Sequence, residues 1–464
     1  MVGTGCTPRL APHEVPLHPT ESSPAVSPQR FSIGAVDSPL VRGGLTLIAG
    51  VLVGNLLGFG RVALTAYFLG THSRADSLAV AMGPVDTLNS VLINSVVFAF
   101  VPMLTACNGA QRTALFLKLT RCFYWVSATI AAAVVIGAAW LMRVLAPGLD
   151  PQSYAASVTV LRILALSTVA AGVGAVQVAL LYTSRRFAPT AFYQAALNLF
   201  TIIGAVSLWK LLGVYAFAAG YTAGSWAQFA FVYFAARSGR TAQGPELCNI
   251  HWGDILAKPL FFVVYAVGLG LNITFTRAYA TQAGPGMAAA LEYCMRGVGV
   301  PMALLVNPIS NSLLPEIARL KSLFRLREAF RLIDRTIALT ALAAIGGCTF
   351  AIAFRTPAIT LFFQRGSFTV DSTRLVSAVF LGLGPSLVGW SLIEIAARSL
   401  FALDRRWPPV IAAVIPVLIN VALTVRMHSF RPELVGIGST LGLLAGFLTL
   451  FLMLHANRKR WLAA

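Results

Sequence analysis

Eight ionisable residues stand inside stretches that are otherwise apolar: Arg61, Asp86, Arg162, Arg277, Glu292, Arg296, Glu394 and Arg398. A ninth, Asp76, sits near the end of one such stretch. A charge at mid-bilayer costs about 2.5–3.5 kcal/mol on insertion scales, so these groups are expected to face a bundle interior or a watery cavity. Glu292/Arg296 and Glu394/Arg398 are spaced i, i+4, one above the other on a helix face, where each pair neutralises itself. Arg162 stands alone, with Asp86 as a candidate partner. Arg61, Arg277 and Arg296 leave a net positive centre. Guanidinium suits bidentate contact with phosphate. The expected chemistry is therefore capture of an amphiphile with an anionic head and a greasy tail. A cationic drug or a sugar suits such a cleft less well.

Covalent chemistry has no support in the residue pattern. There is no Walker A sequence, hence no expectation of ATP hydrolysis. No Ser/His/Asp, Cys/His or metal-ligand spacing emerges, and the six histidines (13, 18, 72, 251, 428 and 455) fall in tails, loops or helix ends. Cys6, Cys107, Cys122, Cys248, Cys294 and Cys348 are scattered without a CxxC pair and read as small apolar residues. No cofactor and no metal are expected.

The elements that must position the charges follow from composition. Of 464 residues, 57% are hydrophobic and 11% charged, with a mean hydropathy of +0.77. A soluble chain carries about a quarter charged residues, so this is an all-α polytopic membrane protein. Disordered chains, disulfide scaffolds and nucleic-acid-binding domains are excluded. Apolar stretches of about 20 residues recur from Gly43 on. Twelve are expected, at 43–68, 77–105, 122–142, 154–182, 188–209, 212–236, 258–280, 287–318, 328–354, 374–402, 407–426 and 433–456. The second is expected to break at Gly83-Pro84, and the eighth at Pro301 and Asn307-Pro308. The organisation is a proline-rich tail over 1–42, expected to be disordered and lacking a secretory apolar run; a first lobe over 43–236; a cytoplasmic linker over 237–257; a second lobe over 258–457; and a basic tail over 458–464.

The net charge of +19 serves topology. With the N-terminus inside, 22 of the 35 Lys+Arg fall in cytoplasmic segments, 8 in external ones and 5 within spans. That bias follows the positive-inside rule and places both termini in the cytoplasm. The basic clusters 319–335 and 458–460 then lie beside anionic membrane lipid, and no nucleic-acid partner is expected.

The twelve helices divide at 237–257 into six and six, and features recur at one offset. Arg61, Gly70 and Asp76 return 216 residues later as Arg277, Gly286 and Glu292, and Pro102 returns as Pro315 at the nearby offset of 213. An even helix number per repeat predicts two six-helix lobes related by a pseudo-two-fold axis along the membrane normal, with a binding site between them. Gly50, Gly54 and Gly58 are spaced for close contact of helix 1 with a neighbour.

The segments LLGFGRVALTAYFLGTHSRADSLAVA (56–81), FAFVPML (98–104), YCMRGVGVPMALLVNPISNSLLPEIARL (293–320), LFFQRGSFTVDSTR (361–374) and LFALDRRWPPV (400–410) resemble the MurJ/MviN-type lipid II flippases. These belong to the multidrug/oligosaccharidyl-lipid/polysaccharide exporter superfamily. The resemblance runs in order along about 45–455. It implies two lobes forming a V around a central cavity, rocking to move an undecaprenyl-pyrophosphate-linked glycan across the bacterial inner membrane. It also implies that Arg61, Asp76 and Arg296 match family positions of the substrate cavity or its gating. Asn55 stands where the family has a further arginine and joins Arg61, Arg277 and Arg296 as substrate-facing. Asp86, Glu292, Glu394 and Arg398 are left as charge or gating partners of Asp76's kind. The chain departs from the family at Val62, which replaces an acid, and near Leu88 and Asn89, which replace a basic pair. The two last family helices, which help form a lipid-tail groove, are not found before Ala464.

The expected function is transport, not catalysis: a flippase for a lipid-linked pyrophosphoryl glycan, lipid II or a related polysaccharide repeat unit, with a coupling ion as a further partner. Alternatives are an ion-coupled small-molecule exporter, a non-transporting membrane scaffold, and, least supported, a membrane-embedded glycan-transferring enzyme.

Overall fold

The computed structural model describes residues 39–107, 109–184, 186–237, 252–426, 431–456 and 458. The expected disordered tail lies outside these up to residue 38, as do residues 238–251 of the linker and most of the 458–464 tail. Among the described residues the regular structure is helical throughout. The first half holds α1 (Pro39–Leu69), α2 (Ser73–Ala106), α3 (Gly109–Leu145), α4 (Pro151–Thr183), α5 (Phe187–Leu212) and α6 (Tyr215–Arg237). The second holds α7 (Trp252–Ala283), α8 (Met287–Pro301), α9 (Asn307–Ser322), α10 (Leu326–Ala353), α11 (Arg355–Phe363), α12 (Val370–Leu383), α13 (Ser386–Ala402), α14 (Trp407–Arg426) and α15 (Ile437–Ala456).

Ten stretches, α8 and α9 counted together, are long and apolar enough to cross a membrane; the bent pair α12–α13 makes eleven. The expected span at 212–236 is present as α6, but Gly220, Gly224, Ser225 and Gln228 dilute its hydropathy and keep it out of that count. The span expected as one helix at 374–402 bends by 43° between α12 and α13, where Pro385 has no N–H to offer the ladder. The eighth span is interrupted as its prolines imply, by a π-helical turn over Met302–Val306 between α8 and α9. The second is not: α2 runs unbroken through Gly83-Pro84, and Gly83 serves a different purpose described below.

Polar side chains and glycines fix the packing, because lipid gives apolar helices no reason to prefer one another over acyl chains. Gly50, Gly54 and Gly58 lie against Ala191, Gln194 and Asn198 of α5, and Asn198 donates to the Gly54 carbonyl at 3.0 Å. Gly204 and Gly220 bring α5 and α6 into backbone contact. Asn420 of α14 donates to the Asn272 side chain and to Thr276 Oγ1, both at 2.9 Å, and Asn272 donates to Ser439 of α15 at 2.7 Å. Asp150 caps α4, accepting from Ser153 N at 3.0 Å ahead of Pro151 at the first helical position; the Ser153 hydroxyl first, and then this N–H, hold its carboxyl below the usual carboxylate range.

Helices α2–α6 pack mainly among themselves, as do α7–α15, and α2 forms most of the contact between the two sets, against α7 and α8. One end of that junction is sealed by the α1–α2, α7–α8 and α11–α12 turns. Ser367 N donates to the Tyr67 carbonyl at 2.8 Å. Tyr293 Oη donates to the Gly70 carbonyl at 2.7 Å, and the Thr71 and Ser372 hydroxyls meet at 2.8 Å. Gly70 and Gly286 both adopt positive φ, +56° and +83°. Each lies flush against a carbonyl, Ser367 O and Thr71 O respectively, where a Cβ would overlap it.

Candidate substrate-binding site

Away from the sealed end the two helix sets enclose a cavity of about 570 Å³, within the usual range for ligand pockets. Every charged residue singled out above except Asp76 and Arg162 lines it. Four arginines (61, 277, 296, 398) face three carboxylates (Asp86, Glu292, Glu394), one net positive charge in a chamber walled by apolar helices.

The charges form one connected chain and one separate pair. Arg277 Nη2 of α7 meets Glu292 of α8 at 2.7 Å. The other Glu292 oxygen meets Arg296 at 3.3 Å, one helical turn on. Arg296 lies 3.9 Å from Asp86 of α2, and so spans the junction between the helix sets. Tyr221 of α6 donates its hydroxyl to Asp86, while the Arg61 guanidinium of α1 sits over the Tyr221 ring, 5.6 Å from its centre. The separate pair is Arg398 and Glu394 of α13, 2.5 Å apart, with Tyr265 of α7 donating to Glu394 at 3.4 Å.

Neutralisation within the chain is incomplete. Arg61 is 6% exposed and forms no ion pair among the described residues. Its Nη1, together with Arg277 Nε and Arg296 Nε, is buried without a hydrogen-bond acceptor. Native structures rarely leave such donors unmatched, and each calls for a ligand, water or ion. The three arginines line one chamber, and guanidinium groups there can donate to the oxygens of a phosphate or pyrophosphate.

The recurring positions part ways here. Arg277 pairs with the acid fifteen residues on, whereas Arg61 does not pair with Asp76. Asp76 is 2% exposed and accepts from Gly286 N at 2.5 Å and Ala289 N at 2.8 Å. It caps the N-terminus of α8 from another helix, since Gly286 has no side chain of its own to do so. Asp76 thus belongs to the sealed end, not to the cavity.

Arg162 does not partner Asp86. It points away from the cavity and donates to the Val135 carbonyl of α3 at 3.3 Å, because Tyr221 and Arg296 already occupy Asp86. Sequence reasoning also missed Gly83. A Cβ there would overlap the Arg277 guanidinium, so Gly83 supplies the notch in α2 that lets Arg277 reach Glu292. The Gly-Pro dipeptide signalled an exception in the helix but gave no hint that the exception was space. Asn55 lines the cavity beside Gly54 and Gly58. Among the described residues no group of His, Cys, Asp or Glu could hold a metal ion.

Comparison with known proteins agrees across most of the chain. Residues 65–463 match the family model described as lipid II flippase MurJ. A probable lipid II flippase MurJ of Rhizobium meliloti is 26% identical over 436 residues, 89% of this chain and 80% of that one. The lipid II flippase MurJ of Burkholderia cenocepacia is 27% identical over 440 residues, 89% and 84% of the two chains. Among solved structures, a lipid II flippase MurJ in an inward closed conformation superposes with a TM-score of 0.75 at 20% identity, covering 89% of this chain and 87% of the other. An inward-facing multidrug resistance transporter of the MATE family and MOP superfamily gives 0.73 at 14% identity, covering 89% and 99%.

Proposed function

The chain belongs to the MurJ family of lipid II flippases, and on that premise we propose that it moves an undecaprenyl-pyrophosphate-linked glycan precursor across the bacterial inner membrane by alternating access. One observation carries the reading for this chain: the three orphaned guanidinium donors of Arg61, Arg277 and Arg296 in a single intramembrane cavity. They are placed to bind the pyrophosphate, with Asn55 beside them. Asp86, Glu292, Glu394 and Arg398 act as charge partners, and Asp76 as a gating residue that holds the sealed end shut.

Two lobes, 43–236 and 258–457, rock about α2 in this reading. With both termini cytoplasmic, as the distribution of Lys and Arg favours, the sealed end faces outward and the cavity is reached from inside. Opening requires that the outward state bind the loaded cargo, or a coupling ion, better than the sealed state does.

Complementation of a strain depleted of its own flippase tests the proposal. The unaltered chain is expected to restore growth and export of lipid-linked precursor, and Arg61→Ala to abolish both while still reaching the membrane. Failure of the unaltered chain to restore either peptidoglycan or polysaccharide export refutes the transport reading, and full rescue by Arg61→Ala points to a scaffold instead.

A further inference from the structure

The cavity has a second wall whose chemistry differs from the arginine cluster. On the side built by α1, α2, α5 and α6 its polar lining is dominated by carboxamides: Asn55, Asn89, Asn94, Gln194, Asn198 and Gln228. The opposite side, from α7, α8 and α13, carries the remaining charges among apolar groups. Asn198 is spent on the Gly54 carbonyl; the other five keep hydrogen-bonding capacity to spare. Asn55, Asn94 and Gln194 make no side-chain hydrogen bond within the described residues. Gln228 is 8% exposed and its Nε2 has no acceptor, while Asn89, 6% exposed, donates to Ser167 at 3.1 Å and leaves Oδ1 unmatched.

A carboxamide offers two donors and an acceptor without charge. Five of them on one wall neither attract phosphate nor welcome an acyl chain. They match a neutral group dense in hydroxyls and amides. Leaving the buried amides of Asn89 and Gln228 unmatched costs about 1–3 kcal/mol each, which a matching ligand recovers. Along α1, Asn55 lies six residues before Arg61, about 9 Å away along the helix axis, so the wall continues from where the arginines would hold phosphate.

We propose that this carboxamide wall is a subsite for the sugar attached to the pyrophosphate, an N-acetylated hexose, and that it distinguishes glycosylated cargo from bare polyprenyl pyrophosphate. The proposal rests on the pyrophosphate reading of the arginine cluster. Native mass spectrometry of the detergent-purified full chain with two probes tests it: undecaprenyl pyrophosphate, and the same lipid carrying one N-acetylhexosamine without peptide.

The unaltered protein is expected to bind the glycosylated probe more tightly. The double variant Asn94→Leu/Gln194→Met should lose about tenfold in affinity for that probe and keep its affinity for the bare lipid, which also shows that it is folded. Arg296→Ala should weaken both. Equal affinity of the unaltered protein for the two probes, or a double variant that keeps the preference, overturns the subsite and leaves the pyrophosphate reading intact. Loss of both probes in the double variant overturns it as well, by making the wall structural. Binding of neither probe to the unaltered protein overturns both readings together.

Discussion

The α1–α2 and α7–α8 hairpins carry the same three marks at the same spacing, an arginine, a glycine and an acid, and use them differently. In α7–α8 the acid turns inward: Glu292 holds Arg277 at 2.7 Å and Arg296 at 3.3 Å. In α1–α2 the acid turns across: Asp76 caps α8, and Arg61 lies over the face of Tyr221 with no ion pair among the described residues. Arg277 therefore divides its guanidinium between Glu292 and the cavity, whereas Arg61 has no carboxylate to share it with among the described residues. A repeated pattern predicts where a charge will be, but its partner decides what the charge is free to do.

That contrast can be broken at its strongest point by Glu292→Gln, which leaves Arg277 and Arg296 facing each other without the carboxylate between them. Removing one member of a buried pair costs about 3–5 kcal/mol, so the thermal unfolding midpoint in detergent should fall sharply. Adding Arg277→Met should recover most of it. An unchanged midpoint in the single variant would show that the second hairpin is not held by this pair.

Gly83→Ala attacks the same contact from α2. The new methyl must push Arg277 off Glu292, at about 1–3 kcal/mol by the general cost of overpacking, read as a smaller fall in the same midpoint. Asp76→Asn tests the crossing contact. It keeps an acceptor but loses its charge, worth about 1.5 kcal/mol, and should raise the rate at which a thiol reagent labels a cysteine placed at Thr71. Protection as strong as in the unaltered chain would remove Asp76 from the seal. Arg61→Gln should move the midpoint least, by about 1 kcal/mol or less, while export fails. Were it to unfold the protein as Glu292→Gln does, the two hairpins would be equivalent after all.

Much of the framework is legible in the residues. Apolar runs of spanning length give most of the helices, and the cost of an intramembrane charge anticipates the cavity on which all of those singled out except Asp76 and Arg162 converge. What escapes the sequence depends on which neighbour a side chain meets. Gly83-Pro84 looks like a break and is a notch, because only the fold places Arg277 opposite it. Asp86 looks like a partner for the lone Arg162, but Tyr221 on α6 and Arg296 on α8 reach it first. The bend at Gly384-Pro385 and the short α11 hide inside a run that hydropathy reads as one span and a loop. The carboxamide wall is invisible for the same reason: its members sit on four helices with no common spacing.

The seal has a consequence of its own. It is built from backbone carbonyls, amide hydrogens and hydroxyls, with three left-handed glycines, Gly70, Gly286 and Gly366, pressed flat against the opposing chain. Apart from Asp76, nothing in those bonds responds to acidity or to dissolved salt. Such a closure is a threshold: it holds at a fixed strength whatever the surroundings, and yields only when the occupant makes the alternative arrangement the lower in energy.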